Sequence, residues 1–229
     1  AVDIGDMGAA KKLGPQTAEY TPEMVKETKE LFDLMGVSWI EAPMEAEGAA
    51  AVMCLRGEVS AVASQDWDTL LYGSPRMVRN LTSHGARRFG RVMTAEVIDL
   101  PETLEEHEIT REQLVDLGIM VGTDFHPGIK GIGPKTGLKL IRKHGTMEAV
   151  AESKNFEIPE NLDAIRSLFL DHPAGDEVPP KAQKAMEEGL RAFLQDQRGF
   201  SERRVERALN RLADAGRLRS ASQPSLFDF

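Results

Sequence analysis

Cysteine is almost absent from this chain. The single residue, Cys54, excludes an intramolecular disulfide and a cysteine-based zinc site, and within AAAVMCL it reads as a small core side chain. Histidine is sparse as well. His84, His107, His126, His144 and His172 stand too far apart for ligand spacing, and only His126 neighbours a residue of interest, Asp124. No apolar run approaches the roughly 20 residues that cross a membrane, and the first residues do not form a secretory signal, so a soluble intracellular protein is expected. Excess positive charge is missing too. A net charge of −9 argues against nucleic-acid binding over the whole surface. No internal repeat is visible. The 229 residues, 41% of them hydrophobic, suffice for one sizeable core and a smaller helical annex.

What the chain does have is acid in three short stretches. Glu45 and Glu47 lie in EAPMEAEG, Asp66 and Asp68 in SQDWD, and Asp124 in VGTDF. Each stretch lies at or just after the end of an apolar run, so the five side chains are expected to project from one edge of one sheet. Taken singly, each pair has an ordinary explanation as a helix-dipole or turn residue. Together they make a strongly negative edge, and carboxylates gathered in this way repel one another unless a divalent cation bridges them. Oxygen-only donors suit Mg²⁺ or Mn²⁺ rather than zinc. Two such ions about 4 Å apart would stabilise both the attacking and the leaving oxygen of a phosphodiester hydrolysis, with no histidine needed as base. Glu45 and Glu47 would diverge by about 200° on an ideal helix; both face one site only if Glu45 is not yet helical. Asp66 and Asp68 are read as strand residues sharing a face, with Trp67 turned away.

The positive charge is segregated. GIKGIGPKTGLKLIRKHG carries Lys130, Lys135, Lys139, Arg142 and Lys143 between Gly128 and Gly145 with no Asp or Glu among them. Glycines at 128, 131, 133 and 137 let a backbone approach a phosphate, and Pro134 opens a helix whose N-terminus offers free N–H groups. Such a grip ignores base sequence. It is not a Walker motif, because the Gly-Lys-Ser/Thr order is absent.

Along the chain, AVDIGDMGAAKKLG has helical composition without an obvious cap or an initiator Met, and an upstream segment is expected before it. TPEMVKETKELFDLMG is expected to be a helix from Pro22 to Gly36, with Thr21 as its N-cap. VSWIEA reads as a buried strand, PMEAEGAAAVMCLRG as a helix and VSAVAS as a second strand. This alternation predicts an α/β fold with a mostly parallel sheet. PRMVRNLT and RRFGRVMTAEVIDL continue as strands, with a hairpin near His84 and Gly85. Helices follow from Pro101: ITREQLVDLGIMVG, the helix opened by Pro134, TMEAVAES, NLDAIRSLFL and two more from Lys181 to about Leu218. RSASQPSLFDF reads as a flexible end with three apolar anchors.

EAPMEAEG, SQDWDTLLYGSP, GTDF and GIKGIGPKTGLKLIRKHG, in this order and spacing, resemble the flap endonucleases, structure-specific 5′ nucleases of DNA replication and repair. LFL near Leu168 and the Q-x-x-L-x-x-F tail agree, and DMGAAKK and TPEM look archaeal. The resemblance covers the chain from about residue 5 onward. It implies a PIN-like 5′-nuclease sheet flanked by helices, incomplete at its N-terminus, over residues 1–100. It implies a helix-three-turn-helix DNA-binding region over 101–175, C-terminal helices over 176–220 and a sliding-clamp-binding tail over 221–229. By the same resemblance Glu45, Glu47, Asp66, Asp68 and Asp124 are metal ligands and catalytic residues. Gly122, Asp124, Lys130, Gly131, Gly133, Lys135 and Lys139 correspond to the DNA-binding hairpin, with K⁺ on its carbonyls, and Gln223, Leu226 and Phe229 to the clamp motif. The implied activity is 5′-flap endonuclease with 5′–3′ exonuclease, in a cytoplasmic or nucleoid setting. A chain acting only as a DNA- and clamp-binding module is the alternative. Family members begin with about 100 further residues, which supply a strand or two of the sheet, two more metal-binding aspartates and a basic helical arch. Here Met44 also stands where a small polar residue is usual, and the clamp motif ends one aromatic short.

Overall fold

A computed structural model describes residues 21–218, except 89, 177 and 179. By its internal contacts the chain forms two units, one from residues 41–178 and one from the segments before and after it. The first unit therefore holds both the acidic stretches and the basic hairpin, across the expected boundary at residue 100.

In the second unit, α1 (Pro22–Met35) starts where Thr21 Oγ1 accepts the Met24 N–H at 3.2 Å, with Pro22 at the first helical position, and ends at Gly36. The later helices begin at Glu187 rather than Lys181. α9 (Glu187–Arg191) runs into a π-helical turn (Ala192–Gln197), and α10 (Glu202–Leu218) follows. Residues 181–186 are not helical, and Gln183 and Met186 N–H donate to the carbonyls of Gly36 and Leu34. Leu190, Phe193 and Val205 are the buried anchors.

In the unit of residues 41–178, α2 (Ala46–Leu55) buries Gly48, Ala49, Ala51, Met53 and Cys54. A β-carbon at Gly48 would stand 2.6 Å from the His172 ring, so this contact demands glycine. β1 (Val62–Ala63) lies parallel to β2 (Arg76–Arg79), which lies antiparallel to β5 (Glu96–Asp99). The three-stranded sheet is thus mixed rather than mostly parallel. VSWIEA does not join it. Residues 37–42 carry no assigned strand, are at most partly buried and enter no ladder among the described residues. VSAVAS contributes only two paired residues, Val62 and Ala63. The hairpin is formed by β3 (Arg87–Arg88) and β4 (Arg91–Val92), later than His84 and Gly85.

Helices α3 (Asp68–Leu71), α4 (Leu100–His107), α5 (Arg111–Val121), α6 (Pro134–His144), α7 (Met147–Lys154) and α8 (Leu162–Leu170) complete the unit. Its core joins Ala51, Leu71 and Tyr72 to Val115, Ile119 and Met120 of α5, Ile141 of α6, Met147 and Val150 of α7, and Phe169 of α8. The acidic turns therefore rest on the same apolar mass as the basic hairpin. Asp116, on α5, is buried within it. Its carboxylate accepts the Met147 N–H at 2.9 Å and two Arg166 N–H groups at 2.7 and 2.8 Å, while Arg166 also donates to Glu148 at 2.6 and 2.8 Å. No described helix is long and apolar enough to cross a membrane. The first 20 residues and the clamp tail, with Gln223, Leu226 and Phe229, lie outside the described residues.

Candidate active site

Of the three acidic stretches only one follows a strand, which corrects the expectation of a single sheet edge. Glu45 is the N-cap of α2 with an extended backbone, φ −64° and ψ 126°, and Glu47 is the helix's second residue. The break in geometry between them frees both from the 200° divergence of an ideal helix. Asp66 and Asp68 are not strand residues. After β1 the chain turns through Ser64, whose hydroxyl accepts the Asp66 N–H at 3.1 Å and approaches Glu47 Oε1 at 3.4 Å. Asp66 Oδ1 then accepts the Asp68 N–H at 3.1 Å, which places Asp68 at the first position of α3. Asp124 sits in the turn after α5, closed by Thr123 N–H to His126 O at 2.8 Å.

Electrostatics shows what these turns bring together. The Asp68 carboxyl is pushed up to about 6, first by burial and then by the negative charges of Asp66, Asp124 and Glu47. The Tyr72 hydroxyl, one helical turn beyond Asp68, is held well above its ordinary range, first by burial and then by Glu45, Asp68, Glu47 and Asp124. All five carboxylates therefore act on one locality. None forms an ion pair with a lysine or arginine among the described residues. Nor, among those residues, do three acids close into a ready-made metal cage. Such a donor set still fits Mg²⁺, which keeps several waters and takes only one or two carboxylates alongside phosphate oxygens.

Sequence reasoning missed three supporting residues. Tyr72 is buried, with its ring 4.9 Å from Phe169 and 5.0 Å from His172. Arg111 donates to the carbonyls of Tyr72 and Phe169, each at 2.8 Å, and so fixes the end of α3. Burial pulls its guanidinium below the usual range. His172 presses on Gly48, directly after Glu47 in the first turn of α2. The four-residue step from Asp68 to Tyr72 was the one legible signal. His126, in contrast, is structural: its Nδ1 lies 3.1 Å from both Gly128 N and Ile119 O, which locks the ring inside the turn.

The basic hairpin follows directly. After Gly122 the backbone loops through residues 127–133 into α6, with Ile129 N–H donating to Met120 O at 2.7 Å. Gly128, at φ 83°, has room only for hydrogen, since a β-carbon would meet Val121 O at 2.4 Å. Gly133 caps α6 without a side chain, leaving the helix's first N–H groups open beside Lys135. Lys130, Lys135 and Lys139 are exposed and unpaired among the described residues. Lys135, Leu138, Lys139, Arg142 and Lys143 line a shallow groove along α6. Arg142 is tied to Glu108.

Comparison with known proteins places this arrangement. Residues 36–124 match the XPG I-region family. Over 228 residues the chain is 42% identical to Flap endonuclease 1 of Methanosarcina acetivorans, covering 97% of this chain and 67% of that protein. The chain belongs to the flap endonuclease family. That is a family of nucleases, and the chain spans about two thirds of the length of its curated relatives. The solved flap endonuclease-1 from Methanococcus jannaschii matches with a TM-score of 0.74 at 36% identity, over 93% of this chain and 64% of that one. A Holliday junction-resolving enzyme GEN1, solved with product DNA and an Mg²⁺ ion, matches at 0.59 and 26% identity, over 75% and 51%. The flap endonuclease likeness supports the 5′-nuclease fold, a small mixed sheet flanked by helices.

Proposed function

We propose that this chain cuts 5′ flaps at the junction of single- and double-stranded DNA, by phosphodiester hydrolysis with two Mg²⁺ ions, in replication and repair. The observation that carries this reading is that the five carboxylates, none in an ion pair among the described residues, act on one locality around Asp68 and Tyr72. Glu47, Asp66, Asp68 and Asp124 would hold the ions, with Glu45 acting partly through water. Bound Mg²⁺, or Mn²⁺ in its place, supplies charge neutralisation for the scissile phosphate and the departing oxygen. The protein's own contribution is position. The Ser64–Asp66–Asp68 turn fixes two carboxylates by backbone hydrogen bonds, and Arg111 anchors the far end of α3. Lys130, Lys135 and Lys139, with the open N-terminus of α6 and the backbone at Gly122, Gly131 and Gly133, would grip the duplex phosphates without reading bases. Carbonyls of the hairpin would take K⁺. Gln223, Leu226 and Phe229 would dock on the ring-shaped sliding clamp, and a 5′–3′ exonuclease activity would use the same acids.

The test is flap cleavage by the 229-residue chain in Mg²⁺. Asp68→Ala is expected to lower the rate at least a thousandfold, about 4 kcal/mol of barrier, while DNA affinity stays within a few fold. Cutting at the normal rate would sink the assignment. A second reading, a DNA- and clamp-binding module without cleavage, is favoured by the lack of a closed three-acid cage among the described residues. Flap binding with no cleavage by the unaltered chain would decide for it.

A further inference from the structure

Trp67 stands between Asp66 and Asp68, and it is 52% exposed. Few residues are less suited to water than a half-bare indole, and none of the acidic chemistry uses it. The Arg79 guanidinium lies over the ring, 4.1 Å from its centroid. Arg79 Nη2 also reaches the Gln65 carbonyl at 3.5 Å, so cation and indole belong to one small assembly at the edge of the acidic turn. Arginine lies over the ring, and the residue is still half exposed. A second apolar side chain, Met44, is 54% exposed directly before Glu45. Two of the three acidic stretches thus carry a bare apolar residue next to an acid.

We infer that Trp67, backed by Arg79, is a stacking platform for one unpaired nucleobase beside the acidic cluster. This deepens the nuclease reading and rests on it for the identity of the strand. Every base has a flat π-face, so stacking adds attraction without base choice, in keeping with a site that ignores sequence. Within a duplex both faces of a base are covered by its neighbours. An isolated indole face therefore selects a base that is single-stranded, as at the foot of a flap. Arg79 on the other face holds the indole still, which lowers the ordering cost of stacking, and its charge offsets part of the repulsion between the acids and the incoming phosphate.

Trp39→Phe leaves Trp67 as the only tryptophan of the chain. In Mg²⁺ buffer its fluorescence is expected to fall on adding a short oligodeoxythymidylate. An abasic oligomer of equal length and charge should bind about tenfold more weakly and leave emission unchanged. Equal quenching by both, or none by either, overturns the platform. On flap DNA, Trp67→Ala should raise KM about tenfold with little change in kcat, and Trp67→Phe should restore it. Unchanged KM in Trp67→Ala also overturns it. Base-dependent quenching in a chain that never cleaves would leave the platform standing and remove the nuclease reading. Cleavage with base-independent quenching would do the reverse.

Discussion

Two groups of carboxylates lie in the same unit and have opposite surroundings. On α5, Asp116 is almost fully buried, yet it is saturated by Arg166 and the Met147 N–H, and Arg166 in turn holds the Glu148 carboxyl down at about 2. At the acidic turns Asp68 is only half-buried, forms no ion pair among the described residues and is pushed up to about 6. Burial penalises any bare carboxylate and hydrogen-bonded partners offset that penalty, so the two groups differ above all in their partners. The first group binds the helices to one another. The second stores repulsion that a bound cation would relieve, which is how a binding site differs from a structural ion pair.

Arg166→Met should break the contrast most forcefully. It strips Asp116 of its cation and leaves a buried charge with one backbone N–H, so we expect a loss of about 3 kcal/mol or more in urea unfolding. A loss below about 1 kcal/mol would mean that the network is incidental. Asp68→Asn should act in the opposite direction. A carboxyl whose pKa is raised by folding is less comfortable ionised in the fold than in the unfolded chain. Its penalty is therefore absent below about pH 4, grows as pH rises through 4 to 6, and is full above that. At pH 7.5 without divalent ions, the variant should be more stable by on the order of 1 kcal/mol, a figure reduced for the site's partial solvent screening. The gain should vanish at pH 4, and Mg²⁺ should stabilise the parent chain more than the variant. Equal stability at both pH values would show that the acids do not interact.

These contrasts mark what was legible in the residues alone. Helix ends were, because Thr21 and Pro22 act locally. The turn and helix of the lysine hairpin were as well, because its glycines and Pro134 act over short spacings. Strand pairing was not: 37–42 has an apolar strand-like composition, but a ladder needs a neighbour that local sequence does not describe. Asp66 and Asp68 looked like strand residues and are held by a side-chain turn instead, since Asp66 competes for the backbone N–H of Asp68. Asp116 resembled any helix acid. Its partner, Arg166, lies 50 residues away, and only packing brings them together.

The smallest effect concerns the third charged region, which complements the second. Lys135 is exposed in the first turn of α6, beside open N–H groups and without an acidic partner among the described residues. A cation of this kind contributes little to folding, so Lys135→Ala should leave urea unfolding unchanged. Its contribution should emerge only against phosphate, as one counterion fewer released on binding. The slope of log affinity for duplex DNA against log salt should fall in magnitude by about 0.9. Because the contact is electrostatic and blind to sequence, the loss should be the same for any duplex and should shrink as salt rises. An unchanged slope would place the duplex elsewhere and leave the α6 groove as a solvated face. A changed slope with a destabilised fold would mean that Lys135 acts through the helix rather than on DNA.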